Sequence, residues 1–286
     1  MPPLPCRQRS RIGTLLTSGV ALFPKDRPMS PHPSVLIFGF GAFGRLIARA
    51  LAPHLPVAVS DPDPAARAEA RRLGLAVVGP RQAGRFGVVV LAVPVPGLGD
   101  CLRRLAPHLR PGQVVADVCS VKQGPAGLMR QILPAGVEIL ASHPLFGPQS
   151  LPGPLAGGRV VLCPVRGRGW RRIAAFLRRV LGLEIILATP EEHDRHAALT
   201  QGLTHLLAHA LAGFQPHPRI RTRSFDLLAR ALAMVGADAP EVFAAVTQDN
   251  PHVAAIRDRF VQRLLAAPAA ATGATGQGQQ GRDAAA

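Results

Sequence analysis

From residue 34 to about residue 188 the chain alternates short, continuously apolar runs with longer stretches whose apolar positions recur every three or four residues. The first pattern is that of strands buried on both faces, and the second is that of helices laid against them. Strands are predicted at 35–38, 57–59, 77–78, 88–95, 114–117, 137–140, 159–163 and 184–187. After the first strand, Phe43, Leu46, Ile47, Ala50 and Leu51 fall on one helical stripe, and Ile173, Phe176, Leu177 and Val180 form a comparable stripe before the last strand. Beyond Pro190 the alternation stops. Leu199, Leu203, Leu206, Leu207 and Leu211 share one stripe, and Val253, Ile256, Phe260 and Leu264 share another. Alternation followed by helices alone predicts an α/β fold: a doubly wound parallel sheet over 33–189, then a smaller all-helical domain over 190–266. A small helical domain commonly buries its remaining apolar face against a second copy of itself, so a homodimer is expected.

Composition narrows this picture by exclusion. No apolar run approaches the ~20 residues of a membrane helix, because prolines, glycines and arginines interrupt each candidate. The formal charge of +16 is carried almost wholly by scattered arginines, with Lys25 and Lys122 the only lysines, so the charge names neither nucleic acid nor membrane as a partner. Cys6, Cys101, Cys119 and Cys163 are widely spaced and contain no C-x-x-C pair, as expected of reduced thiols in a cytoplasmic protein. Residues 1–32, rich in Pro and Arg, read as a disordered extension or as a start placed too early, with Met29 the alternative first residue. Residues 267–286 hold almost no large apolar side chain and read as a disordered tail. No fused regulatory domain is expected in the short stretch that follows Leu265.

Candidate chemistry begins at the first strand. Residues 35–44, VLIFGFGAFG, place Gly39, Gly41 and Gly44 between a predicted strand and a predicted helix. In a G-x-G-x-x-G turn the first glycine permits the tight bend, the second admits a pyrophosphate, and the third lets helix and strand pack closely. Ala42 and Phe43, at the start of the helix, would face the same phosphates with free N–H groups. Asp61 follows at the end of the second strand, about 20 residues on, where a carboxylate takes ribose hydroxyls. These features make the sheet Rossmann-type and the cofactor NAD or NADP. Asp61 favours NAD because it repels a 2′-phosphate, while Ser60 and Arg67 beside it moderate that preference. Val93 and Pro94 end the VVVLAVPV run, and their loop is expected to line the cofactor cleft.

Two later segments fall at strand ends, DVCSVK at 117–122 and ASHPLFGPQ at 141–149. Removal of hydride from an alcohol requires a base for the hydroxyl proton, and imidazole titrates near neutrality, so His143 is the candidate base and Ser120 a candidate to orient it. Glu191, Glu192 and Asp194 crowd a helix start, where the helix dipole alone explains acids. His193, His196, His205 and His209 have no spacing that convinces as a metal site, and none is expected.

The order of these segments, Asp-x-x-Ser-x-Lys and then His-Pro-x-Phe-Gly-Pro behind a dinucleotide turn, resembles the prephenate/arogenate dehydrogenase family of tyrosine biosynthesis. The resemblance covers about 35–205, ending in PEEHDRHAALTQGLTH. It implies an oxidative decarboxylation of prephenate or arogenate to 4-hydroxyphenylpyruvate or tyrosine. It assigns His143 and Ser120 to catalysis, and His205 and Gln201 to the substrate; Lys122 matches the motif with either a structural or a functional role. The chain departs from the family at 222–235, where Asp226 follows Phe225 in place of the arginine implied to hold a substrate carboxylate. Arg223 and Arg230 are within a helical turn of that face, and Arg223 is the expected replacement. The alternatives are an arogenate-specific enzyme, where Asp226 would pair with the substrate ammonium, and a dinucleotide-binding regulator without catalysis.

Overall fold

The structure, a computed structural model, describes residues 35–147, 155–212 and 218–266. The expected extension at 1–32, the tail at 267–286, Cys6, and the Pro148 end of the His-Pro-x-Phe-Gly-Pro segment lie outside the described residues. Eight strands form one sheet: β1 (Val35–Phe38), β2 (Val57–Ser60), β3 (Ala76–Val77), β4 (Val88–Leu91), β5 (Val114–Asp117), β6 (Glu138–Pro144), β7 (Arg159–Arg166) and β8 (Glu184–Leu187). Helices α1 (Ala42–Leu51), α2 (Pro64–Arg72), α3 (Val95–Leu105), α4 (Gln123–Ile132) and α5 (Trp170–Arg179) connect them. The strand order is β3-β2-β1-β4-β5-β6-β7-β8. The chain therefore builds outward from β1 in one direction and then restarts at β4 on its other side, so the crossovers diverge between β1 and β4. Ligands of doubly wound sheets bind beyond the carboxyl ends of the strands at such a divergence.

Leu36, Ile37, Val89, Leu91, Val115 and Ile139 are all buried, as continuously apolar strands covered on both faces require. Two sequence expectations are corrected here. The 88–95 run is not one strand: β4 ends at Leu91 and α3 begins at Val95 with Pro94 as its N-cap, since a proline cannot donate to the ladder but fits a first helical turn. The sheet is also not wholly parallel. β7 runs antiparallel to β6, with His143 opposite Val161, and this pairing carries β6 on to Pro144. An antiparallel neighbour needs no helical crossover, so β6 extends beyond the ends of β4 and β5 and carries His143 past them.

The helical part holds α6 (Pro190–Ala197), α7 (Leu203–Ala212), α8 (Arg223–Gly236), α9 (Pro240–Ala244) and α10 (Val253–Ala266). Thr189 caps α6 in a capping box with Glu192, and Pro190 occupies its first turn. A π-helical turn over Ala198–Gly202 separates α6 from α7, and a second, Ala245–Asp249, follows α9. The leucine stripe read from the sequence is not the most buried one: Leu203, Leu206 and Leu207 are only half-buried. Ala198, Gly202 and His205 face inward, while Leu199 and Leu211 are exposed. Leu227, Leu228 and Met234 of α8 and Leu264 of α10 are exposed as well. Among the described residues no helix is long and apolar enough to cross a membrane.

Candidate active site

The carboxyl ends of β1, β2 and β4 form the first half of the site. Gly39 adopts φ of +99°, and a Cβ there would stand 2.3 Å from the Ala92 carbonyl oxygen, so only glycine allows β1 and β4 to part at this point. A Cβ on Gly44 would stand 2.1 Å from the Gly39 oxygen, which fixes how closely α1 approaches the turn. Gly41 differs from both: a Cβ there meets nothing within 4 Å. It is the N-cap of α1, and no side chain caps that end and no acid lies in its first turn, so the free N–H groups of Ala42 and Phe43 face open space. Asp61 Oδ2 accepts from the Phe40 N–H at 2.6 Å and Oδ1 from the Asp63 N–H at 2.8 Å, which fixes the carboxylate beside the turn. A cavity of about 480 Å³ opens against it, lined by Ser60, Asp61, Arg67, Val78, Arg71 and Arg104 among others. Arg67 is turned back onto the Asp61 and Pro62 carbonyls. These residues fit a dinucleotide, with phosphates at the α1 terminus and an adenosine against Asp61. Val93 lies beside the turn, its Cγ1 within 3.1 Å of a Cβ built on Gly39, and Pro94 caps α3.

The second half lies at the ends of β5 and β6. Lys122 is wholly buried, donating to Asp117 and, at 2.5 Å, to the Ser142 carbonyl. Ser142 Oγ donates to the Asp117 carbonyl at 2.6 Å, so the two strand ends are stitched together immediately before His143. Lys122 thus acts on the strand-end carbonyl and on Asp117. His143 is buried, and its Nδ1 meets Nε2 of His193 at 2.8 Å, the rings edge to face with centroids 5.0 Å apart. His193 Nδ1 in turn meets Asp194 Oδ1 at 2.8 Å. The Asp194 carboxylate, with no exposed surface, also accepts the Lys122 N–H at 2.7 Å and the Gln123 N–H at 2.8 Å, at the start of α4. Asn250 holds the Asp194 carbonyl at 2.8 Å. Burial, then the neighbouring His193, then Lys122 push the His143 imidazole well below the ordinary histidine range. Burial works to raise Asp194, but the hydrogen bonds from His193, Gln123 and Lys122 outweigh it and hold the carboxyl below its usual value.

The structure separates the other sequence candidates. Ser120 is half-buried on the loop after β5, and the partner at His143 Nδ1 is His193 in its place. His205 is buried with Nδ1 on the Gln201 carbonyl at 2.9 Å and Nε2 on Asp238 at 3.1 Å. The Gln201 side-chain oxygen is buried without a hydrogen-bond partner. Arg223 is exposed at the start of α8, and the residue paired with Asp226, at 3.2 Å, is Arg221. Asp194 overturns the dipole explanation: Glu191 and Glu192 do lie in the first turn of α6, but Asp194 lies beyond it, and its carboxylate serves α4 and His193. That offset within the helix is the signal in the sequence that could have singled it out. Arg71 and Arg104 had no such signal, because only the fold brings α2 and α3 to one cavity. Among the described residues no group of three His, Cys, Asp or Glu side chains is placed to hold a metal.

Residues 46–203 match the family model described as the prephenate dehydrogenase nucleotide-binding domain. The chain belongs to the prephenate dehydrogenase family. Residues 189–271 match the model of the same family's dimerization domain. A cyclohexadienyl dehydrogenase of Zymomonas mobilis is 29% identical over 262 residues, covering 82% of this chain and 87% of that one. Arogenate dehydrogenase 1 of Arabidopsis thaliana is 30% identical over 210 residues, covering 68% of this chain. The chain spans 32% of that Arabidopsis protein and 42% of a Methanocaldococcus jannaschii relative, less than half the length of either. The fold is similar to that of the prephenate dehydrogenase of Aquifex aeolicus solved with hydroxyphenyl propionate and NAD+, with a TM-score of 0.66 at 22% identity over 81% of this chain and 88% of that one. Membership goes with a Rossmann-like nucleotide-binding domain and a helical C-terminal part, as the fold shows.

Proposed function

We propose that the protein is a prephenate dehydrogenase, converting prephenate to 4-hydroxyphenylpyruvate and carbon dioxide. The observation that carries this reading is the placement of a buried imidazole, His143, on the part of β6 that overhangs the carboxyl ends of the cofactor-binding strands. His143 Nδ1 is engaged by His193, which leaves Nε2 to receive the proton of a ring hydroxyl. Bound at the glycine turn, NAD+ supplies the acceptor for the hydride that leaves the carbon bearing that hydroxyl. The ketone so formed is vinylogous to the ring carboxylate, and loss of carbon dioxide makes the ring aromatic. Burial around His143 excludes water from the reacting carbon. Ser120, on the adjoining loop, reaches the same hydroxyl; His205, Gln201 and Arg223 contact the rest of the substrate, the orphaned Gln201 oxygen being suited to a donor.

Arogenate differs by an ammonium group. The ion pair of Asp226 with Arg221 occupies the carboxylate that would have favoured it, which supports prephenate. NAD is the preferred cofactor in this reading: Asp61, held beside the glycine turn by the Phe40 N–H, would take the ribose hydroxyls and repel a 2′-phosphate. NADP is the second reading, supported by Arg67, Arg71 and Arg104 around the same cavity. The match to a dimerization domain and the exposed Leu227, Leu228 and Met234 support a homodimer through the helical part, which we take as a domain beginning at Thr189 and Pro190. Buried free thiols at Cys101, Cys119 and Cys163 support a cytoplasmic protein.

The test is nicotinamide reduction followed by absorbance with prephenate or arogenate, each with NAD and with NADP. The highest kcat/KM is expected for prephenate with NAD. Binding of NAD without turnover of either substrate would favour the non-catalytic regulator, and preferred turnover of arogenate would favour the arogenate-specific enzyme.

A further inference from the structure

We propose that Asp194, His193 and His143 form a single proton relay, in which Asp194 fixes the tautomer of the base and the His193–Asp194 pair holds the substrate proton while carbon dioxide leaves. The inference rests on the dehydrogenase reading above and extends it to residues on α6 that read, in the sequence, as an ordinary helix start.

The wiring follows from donors and acceptors alone. A buried carboxylate that accepts two backbone N–H groups is acceptor-only, so the His193 nitrogen 2.8 Å from it carries the hydrogen. With that hydrogen on Nδ1, His193 presents the lone pair of Nε2, and a hydrogen on Nδ1 of His143 completes the contact of 2.8 Å between the rings. His143 is left with a lone pair on Nε2, the form a general base needs. Asp194 thus sets the protonation pattern of a ring it does not touch, while its bonds to the start of α4 and from Asn250 keep it immobile.

The same surroundings oppose a lasting charge on His143. Burial opposes it most, and the titratable groups that face it, His193 and then Lys122, which is paired with Asp117, add to that effect. His193 stands against a carboxylate instead. When the ring hydroxyl gives its proton to Nε2 of His143, the O–H bond breaks and an N–H bond forms; the hydrogen on Nδ1 passes to Nε2 of His193. The positive charge then rests on His193, in contact with Asp194. Hydride has gone to the nicotinamide, and the bonding pair of the departing carboxylate enters the ring and leaves a phenolate oxygen. That oxygen takes a proton back from His143 as the relay reverses, so the relay gains and loses one proton per turnover and no other reactant is needed.

The experiment combines histidine 15N NMR on the full-length protein without substrate and steady-state kinetics of His193→Gln, His193→Gly and Asp194→Asn. The relay predicts the Nδ1–H tautomer of His143 in the wild type. It predicts kcat lower by about 10²-fold in His193→Gln and Asp194→Asn with KM changed less than about twofold, a shifted acid limb of the pH–rate profile, and partial rescue of His193→Gly by added imidazole. Because Asp194 also caps α4, His193→Gln, which leaves that cap in place, decides the matter if Asp194→Asn unfolds. An Nε2–H tautomer of His143 in the wild type, or a His193→Gln enzyme with wild-type kcat, overturns the relay. A wild type inactive with both substrates and both cofactors, yet showing the Nδ1–H tautomer, sinks the dehydrogenase reading while supporting the wiring.

Discussion

The glycine turn at the cofactor end is contiguous, running from Gly39 to Gly44 with a geometry dictated by missing side chains, whereas the proton end is assembled from distant chain. His143 meets His193 across 50 residues, and Lys122 meets Asp194 across 72. The first end depends on backbone shape and on space, with Gly41 leaving room and Gly39 tolerating φ of +99°. The second depends on charge kept out of water, where each buried donor must find its acceptor. One end should therefore tolerate changes of charge and fail on added atoms, and the other should do the reverse.

The largest effect is expected from His143→Asn, which removes the base and retains much of its volume. General-base catalysis is worth about 10² to 10⁴ in rate, and kcat should fall within that range while NAD affinity measured by calorimetry stays at the wild-type value. A fall in NAD affinity in proportion to kcat would mean that the two ends are not separate. Next comes Lys122→Met, close in volume but without the charge. It leaves the Asp117 carboxylate buried and unpaired, and breaking a buried pair from one side costs about 3–5 kcal/mol, to be read from urea denaturation. A loss under about 1 kcal/mol would show that the pair does not anchor β5 to β6.

Space, not charge, governs the third. Gly41→Ala should keep the wild-type melting temperature, because its Cβ meets nothing within 4 Å, and should weaken NAD by about tenfold by occupying the phosphate position. Gly39→Ala should lower stability by about 1–3 kcal/mol, since its Cβ would collide with the Ala92 carbonyl and its φ is strained for any other residue. Equal melting temperatures for the two variants would contradict this division.

The contrast also explains what could be read before the fold was known. The glycine turn and the helix cap at Thr189 depend on neighbours within a few residues, and the structure shows the positive φ of Gly39 and the capping box that such patterns require, while Asp61 reaches back 21 residues to the Phe40 N–H. The strand limits at Leu91 and Pro144 depend on partners, β4 stopping before Pro94 and β6 extended by β7, and the sequence pattern misses both. His193 and Asp194 sit side by side in the chain, but their meaning lies in what they meet, β6 and the start of α4. Leucine periodicity in the helical part fails for a related reason: the buried face is set by what packs against it, with Gly202 so close to Val253 that a Cβ would stand 2.6 Å away, and the leucines beside that face stay half-buried or exposed.

The smallest expected effect is on the pH dependence of stability, and it belongs to the proton end alone. His143 is held neutral in the folded protein, well below its value in the unfolded chain, near 6.5. As pH falls below about 6.5 the unfolded chain takes up a proton at this position and the folded one does not, so stability declines by up to about 1.4 kcal/mol per pH unit until the folded pKa is reached. Asp194 acts in the same sense but in a lower pH window. Its depressed carboxyl contributes stability that is present above the usual carboxylate range and is lost only as pH falls through its lower folded value, so it does not obscure the histidine window. Melting temperatures taken from pH 7 to pH 4.5 should fall more steeply for the wild type than for His143→Asn, and Gly41→Ala should follow the wild-type slope. Parallel curves for His143→Asn and wild type would mean that His143 is charged in the folded protein, and would remove the driving force that sends its proton on to His193.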